Sequence, residues 1–295
     1  MPPITPAFDH AATLGESPRW HAGEGRLYWV DIDVGEVLRA RPREAVEHWS
    51  IGQPAACLAF RAGGGLLIGG KAGLLAADEW RGDLTPFGVQ MLKGRDGYRL
   101  NDGRIDPAGR FWVGSMDEAK DTHDAALYRV TPAGEVTRVA GGMTTCNAAA
   151  FTADGRRFMH ADTATHALCL HDVDPTTGGL SNERLFHQFE RGGVGPGLGR
   201  PDGGSFDSEG CYWSALFDGW RVVRLSPGGE IVAEVALPVQ RPTMIAFGGT
   251  DHRTAYVTTA RKGLDEAALL EQPLAGAVLS FPVDVPGVPE FAFAG

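Results

Sequence analysis

Four oxygen-bearing side chains, Glu16, Asn101, Asn147 and Asp202, each open a segment of one shape. Two are carboxylates and two are amide carbonyls, all hard donors. Brought together away from water, the acids would repel one another and burial would penalise their charge. A divalent cation relieves both costs most directly. An oxygen-only set suits Ca²⁺, Mg²⁺ or Mn²⁺, and Zn²⁺ and Fe²⁺ also accept it with less preference. Asp and Asn also open strands as ordinary turn residues, so any one of these positions alone says little. Their recurrence in one frame says more.

The elements that must position them follow from that frame. In each segment an apolar or aromatic residue comes four places after the polar one. A Gly turn and a short β-branched or aromatic run come next. The copies read ESPRWHAGEGRLYWVDI, NDGRIDPAGRFWVGSM, NAAAFTADGRRFMHAD and DGGSFDSEGCYWSAL. Two weaker copies, ACLAFRAGGGLLIGG from Ala56 and TMIAFGGTDHRTAYVTTA from Thr243, fill the gaps. Short strands and Gly turns repeating every 40 to 55 residues predict an all-β fold, a six-bladed β-propeller with four-stranded blades and an axial metal site. The same position of every blade then lies at the same radius, so Glu16, Ala56, Asn101, Asn147, Asp202 and Thr243 meet at the axis. Residues 1–295 read as one such domain, with the stretch around Thr5 to Ala12 giving an outer strand to the sixth blade and closing the ring. DEAALLEQ, near Asp265 to Gln272, reads as a turn or two of helix inserted in the sixth repeat. The loop RGGVGPGLGRP reads equally as a flap over the axis or as plain surface.

Several function classes fall away. A net charge of −10 without a Lys/Arg cluster argues against nucleic-acid binding. No run of 18 apolar residues suggests a membrane span, and the N-terminus lacks the pattern of a signal peptide. Cys57, Cys146, Cys169 and Cys211 show no CxxC spacing and read as free, mostly buried thiols in a reducing cytoplasm. Strand alternation turns Cys57 and Cys146 away from the axis. Ser17 lacks the GxSxG frame of an esterase elbow. His160, His166 and His171 read as exposed strand histidines rather than a zinc site. Trp20, Trp29, Trp112 and Trp213 read as packing between blades. Arg99 and Arg200 occupy equivalent places two residues ahead of Asn101 and Asp202, at the rim of one mouth, where guanidinium groups suit a hydroxyl-rich or anionic ligand.

The chain resembles the senescence-marker-protein/gluconolactonase family, which includes regucalcin and bacterial sugar lactonases. LGESPRW from Leu14, TTARKGL from Thr258 and PLAG from Pro273 carry the likeness, and RLNDGRIDPAGRFWVGSM and RPDGGSFDSEGCYWSAL are its most specific stretches. The resemblance implies one divalent metal held by Glu16, Asn147 and Asp202, with Arg99 and Asn101 touching substrate. The family's further substrate-contacting Glu falls by count on Ala119, and Glu118 is its nearest replacement. Arg200 stands where the family commonly has an uncharged residue. The implied activity is metal-dependent hydrolysis of a sugar lactone to its aldonic acid, with Asp202 as proton acceptor, in a cytoplasmic monomer or weak homodimer. Three alternatives stand beside it: a promiscuous metal-dependent esterase or phosphotriesterase, a calcium-binding regulatory protein without turnover, and a protein-interaction scaffold.

Overall fold

The computed structural model describes residues 3–295; the first two residues of the 1–295 span lie outside it. Six four-stranded antiparallel sheets form a closed ring. The innermost strands are Gly15–His21, Cys57–Phe60, Tyr98–Ile105, Cys146–Phe151, Arg200–Phe206 and Pro242–Gly248. Each packs against the next, and the last packs against the first. This is the six-bladed β-propeller that the repeats predict. Burial falls from inside to outside. The inner strand of blade 5 is buried almost throughout, whereas its outer strand Ile231–Ala236 is mostly exposed.

The core lies between neighbouring blades. Trp112 of blade 3 stands 5.4 Å from Phe151 of blade 4, Trp213 of blade 5 stands 5.8 Å from Phe247 of blade 6, and Trp20 of blade 1 stacks at 5.7 Å on Tyr256 of blade 6. The expectation of inter-blade packing for the tryptophans holds at these contacts. Two of the indoles also find acceptors: Trp112 Nε1 donates to Asp106 and Trp213 Nε1 to Asp207. The four cysteines are free, and all but Cys169 are buried. The short helix is Glu266–Glu271, capped by the Asp265 side chain. No helix among the described residues is long and apolar enough to cross a membrane.

The ring is closed from its N-terminal side. Thr5–Pro6 pairs with Leu279–Pro282 as the outermost strand of the sixth blade, and Ala7 N–H donates to Val278 C=O. Phe8 then packs at 5.0 Å on Trp29 and 6.4 Å on Tyr256, joining blades 1 and 6. Deleting residues 1–11 is therefore expected to lower the thermal midpoint by about 5 °C or more, the scale of one lost buried aromatic plus its strand pairing. A calorimetric scan that superimposes on that of the full chain would place the closure elsewhere.

The C-terminal tail closes the other end of the axis. It leaves blade 6 at Val283, whose N–H donates to Arg253 C=O, and runs under blade 5, where Val288 N–H donates to Phe206 C=O. It ends against blades 3 and 2, with Ala294 N–H on Gly109 C=O and Phe293 N–H on Phe60 C=O. Phe293 is fully buried. These partners lie at or just past the exit ends of the inner strands, opposite the ends that open at Glu16, Asn101, Asn147 and Asp202.

Candidate active site at the mouth of the axis

Five of the six inner strands carry a β-bulge at or directly after the axial position. The register slips between Glu16 and Arg19, Leu100 and Gly103, Asn147 and Ala150, Pro201 and Gly204, and Pro242 and Met244. Ser17 and Ala148 absorb two of these bulges in the left-handed region, at φ 50° and 64°. A bulge breaks the period-2 alternation and re-aims side chains. Residues three apart on one strand, Glu16 and Arg19 or Asn101 and Arg104, are thereby both carried toward the axis at different depths.

The upper level holds the oxygen donors. Glu16, Asn101, Asn147 and Asp202 line one cavity of about 160 Å³. Asn101 Nδ2 donates to Asn147 Oδ1 at 2.7 Å, and Asn147 Nδ2 donates to Thr163 Oγ1 at 2.8 Å, so both amides are oriented. Arg99 is buried, and its Nη1 donates to Asn101 Oδ1 at 2.7 Å. Arg99 thus holds Asn101 and is not itself part of the cavity wall. Glu118 is exposed, also outside that wall, and is the foremost negative charge acting on Arg99. Of the two remaining axial positions, Ala56 brings no donor. Thr243 is fully buried, with its hydroxyl bonded to Gly15 C=O and Thr258 Oγ1.

Glu16 and Asp202 are both shielded from water, and no Lys, Arg or His among the described residues pairs with either. Burial, then the charge of Asp102, pushes Glu16 up to about 8. Burial, then Glu16, raises Asp202 well above the usual carboxylate range. Two adjoining buried acids with two oriented amides and no ion-pair partner of their own match what a hard divalent cation requires. The donor set at the mouth therefore fits such an ion.

A lower level, unforeseen in the sequence, is built on two arginines. Arg19 is fully shielded, donates to Gly103 C=O at 2.6 Å, and lies 3.9 Å from Asp102 and 3.8 Å from Glu290. Arg104 donates to Ala149 C=O at 3.2 Å and Gly204 C=O at 2.7 Å, and pairs with Glu290 at 2.6 Å. They tie inner strands of different blades together beneath the cavity.

A second set of unforeseen residues braces the loops above. Asp31 accepts from the N–H groups of Thr13 and Leu14, two residues ahead of the axial pair Gly15–Glu16. Asp162 accepts from those of Thr144 and Thr145, the equivalent place ahead of Asn147. Asp117 accepts from Ala119, Asp121 and Thr122, and Asp218 from Gln240 and Arg241. The signal was present: an aspartate follows each axial donor by 15 or 16 residues.

The histidines differ from expectation. His160 and His171 are buried rather than exposed, because the inter-blade core around Phe158 extends over them. Burial holds His160 down at about 4. With Glu183 they offer ligand atoms within 4.8 Å of one another, outside the axial cavity.

A family profile described as SMP-30/Gluconolactonase/LRE-like region matches residues 14–261. The 6-deoxy-6-sulfogluconolactonase of Pseudomonas putida is 39% identical over 96% of this chain and 96% of its own length. Regucalcin of Danio rerio is 34% identical over 96% of this chain and 95% of its own. Among solved structures, a calcium-binding protein, regucalcin, from Agrobacterium tumefaciens superimposes with a TM-score of 0.92 at 26% identity, covering 99% of this chain and 97% of the other.

Proposed function

The chain belongs to the SMP-30/gluconolactonase/LRE-like family, and from that premise we propose that it hydrolyses a sugar lactone to the open aldonic acid with the help of one divalent metal ion. The observation that carries this reading is the convergence of Glu16, Asn147 and Asp202 in one cavity, with neither acid paired to a cationic side chain among the described residues. The relative from Pseudomonas putida, named for a gluconolactone derivative, supports a six-carbon lactone.

In this reading Glu16, Asn147 and Asp202 hold the metal, which supplies Lewis-acid polarisation of the lactone carbonyl. The protein's own groups do the rest. Asp202 accepts a proton from the water that attacks the carbonyl carbon. As the ring C–O bond breaks, Asp202 returns that proton to the departing ring oxygen. Asn101, steadied by Arg99, orients substrate hydroxyls. A lactone is an activated ester, so no covalent nucleophile is needed, and buried thiols such as Cys57, held well above the usual thiol range chiefly by burial, are poor candidates for one.

Acid release from a panel of aldonolactones, followed by pH-stat on protein loaded with Ca²⁺, Mn²⁺ or Zn²⁺, tests the activity. No release above the spontaneous rate with any metal would overturn it. Elemental analysis after loading and dialysis is expected to give about one ion per chain, as a single set of hard ligands would hold. Glu16→Gln should reduce that retention. The calcium-binding description of the Agrobacterium tumefaciens neighbour favours one second reading, binding without turnover. Tight ion binding with an inert lactone panel would select it.

A further inference from the structure

The mouth is electrically divided. Glu16 and Asp202 form one part of its lining, and Lys120 and Arg200 form another. Arg200 opens the inner strand on which Asp202 lies two residues deeper. Both side chains line the cavity, and two residues of strand span roughly 7 Å. That is the scale of a six-carbon lactone from its carbonyl to its far end.

Arg200 is held by its partners, and the loop that carries Lys120 is ordered. The loop that carries Lys120 is organised by the Asp117 carboxylate, which accepts from Ala119, Asp121 and Thr122 N–H, and Lys120 itself sits at φ 60°. Arg200 Nη2 donates to Asp218, and its Cζ lies 5.3 Å from the Phe217 ring centre. Arg241 shares the same carboxylate at 2.9 Å and the same ring at 5.4 Å. Two guanidiniums therefore share one carboxylate, and Lys120 has no ion-pair partner among the described residues.

The charges of Arg200 and Lys120 both reach Asp202, but neither is paired with an acid of the site. Arg200 pairs with Asp218 and not with Asp202, and neither Glu16 nor Asp202 has a cationic partner within 4.0 Å among the described residues. Once the acids are balanced by a divalent ion, Lys120 beside Arg200 keeps a positive charge that a neutral sugar lactone leaves unanswered. Guanidinium and ammonium donors at that spacing suit a tetrahedral or planar oxyanion.

We propose that the lactone taken at this site carries a negatively charged group, a sulfonate, phosphate or carboxylate, at the end remote from the ring ester, held by Arg200 and Lys120 while the ester lies against Asp202. This rests on the lactonase reading and specifies its substrate class.

The test compares kcat/KM of the metal-loaded full chain for gluconolactone, sulfogluconolactone, phosphogluconolactone and glucarolactone. At least one anionic lactone is expected to exceed gluconolactone by about tenfold or more, and the preferred member tells the three anions apart. Arg200→Gln and Lys120→Met are each expected to lower that anionic-to-neutral ratio by about tenfold, mainly through KM. A wild-type ratio near one, or a ratio that neither variant moves, overturns the proposal while leaving lactone hydrolysis intact. If no lactone is hydrolysed, the lactonase reading fails on its own. Calorimetric binding of sulfogluconate, phosphogluconate and glucarate against gluconate then decides, and equal affinities would overturn the anion site.

Discussion

Asp202→Asn is expected to lower lactone hydrolysis by a factor on the order of 10²–10⁴, the scale of general acid–base work. The substitution keeps an oxygen ligand and nearly the same shape, but removes the negative charge and the basicity. Metal affinity should fall as well, so the assay belongs at saturating metal. The loss should then appear in kcat as much as in kcat/KM, because proton transfer matters in the transition state. Asp202 lies beside Glu16 in the cavity, and the cations whose charges reach it are Arg200 and Lys120. No neighbouring acid is placed to share its role without disturbing the ligand set. A variant that turns over at the wild-type rate with metal saturated would show Asp202 to be a ligand only.

The largest stability effect is expected at Glu290. Its side chain is 12% exposed and is the carboxylate that reaches both Arg104, at 2.6 Å, and Arg19, at 3.8 Å. Asp102 alone would remain to balance two shielded guanidiniums after Glu290→Ala. Removing one partner of a buried ion pair costs about 3–5 kcal/mol. Urea denaturation should show that loss as a lower midpoint with little change in slope. The pH dependence has a definite sign. Although burial opposes ionisation, the charges of Arg104 and Arg19 hold Glu290 below the ordinary glutamate value. A depressed folded-state value means the stabilisation is complete above the unfolded-state value and is lost as pH falls from there toward the folded one. Wild type should therefore lose part of its advantage over Glu290→Ala in acid. A difference between the two that stays constant down to acid unfolding would remove the ion pairs from the account.

The blades were legible because the sequence spells them out. An opener that is polar in five of six copies, an apolar or aromatic residue four places on and a Gly turn recur around the ring, and sheet formation needs little beyond such local signals. The donors at the mouth were legible for the same reason, since equivalent positions of equivalent blades must converge. Arg19 and Arg104 were not. Strict alternation sets residues three apart on opposite faces, and the bulges that cancel this are formed by residues as unremarkable as Ser17 and Ala148. Asp31, Asp117, Asp162 and Asp218 were readable in principle, but an aspartate at a strand end looks like any turn residue until its N–H partners are seen. His160 and His171 were misread as exposed because burial there depends on how closely blade 4 meets its neighbour. That closeness is a property of the assembled ring and of no single strand. The tail from Val283 onward carries no repeat, and nothing in its composition announces that it runs back beneath blades 5, 3 and 2.

That tail makes the axis a cup rather than a tunnel. With Glu290, Arg19 and Arg104 occupying the bottom, lactone and acid must pass through one doorway in opposite directions. The acid leaves with one more negative charge than the lactone brought in, and it leaves past Lys120 and Arg200. The doorway that favours arrival therefore resists departure. Turnover at high substrate should be paced by the exit of product, and accumulated product should compete with incoming lactone for the same opening.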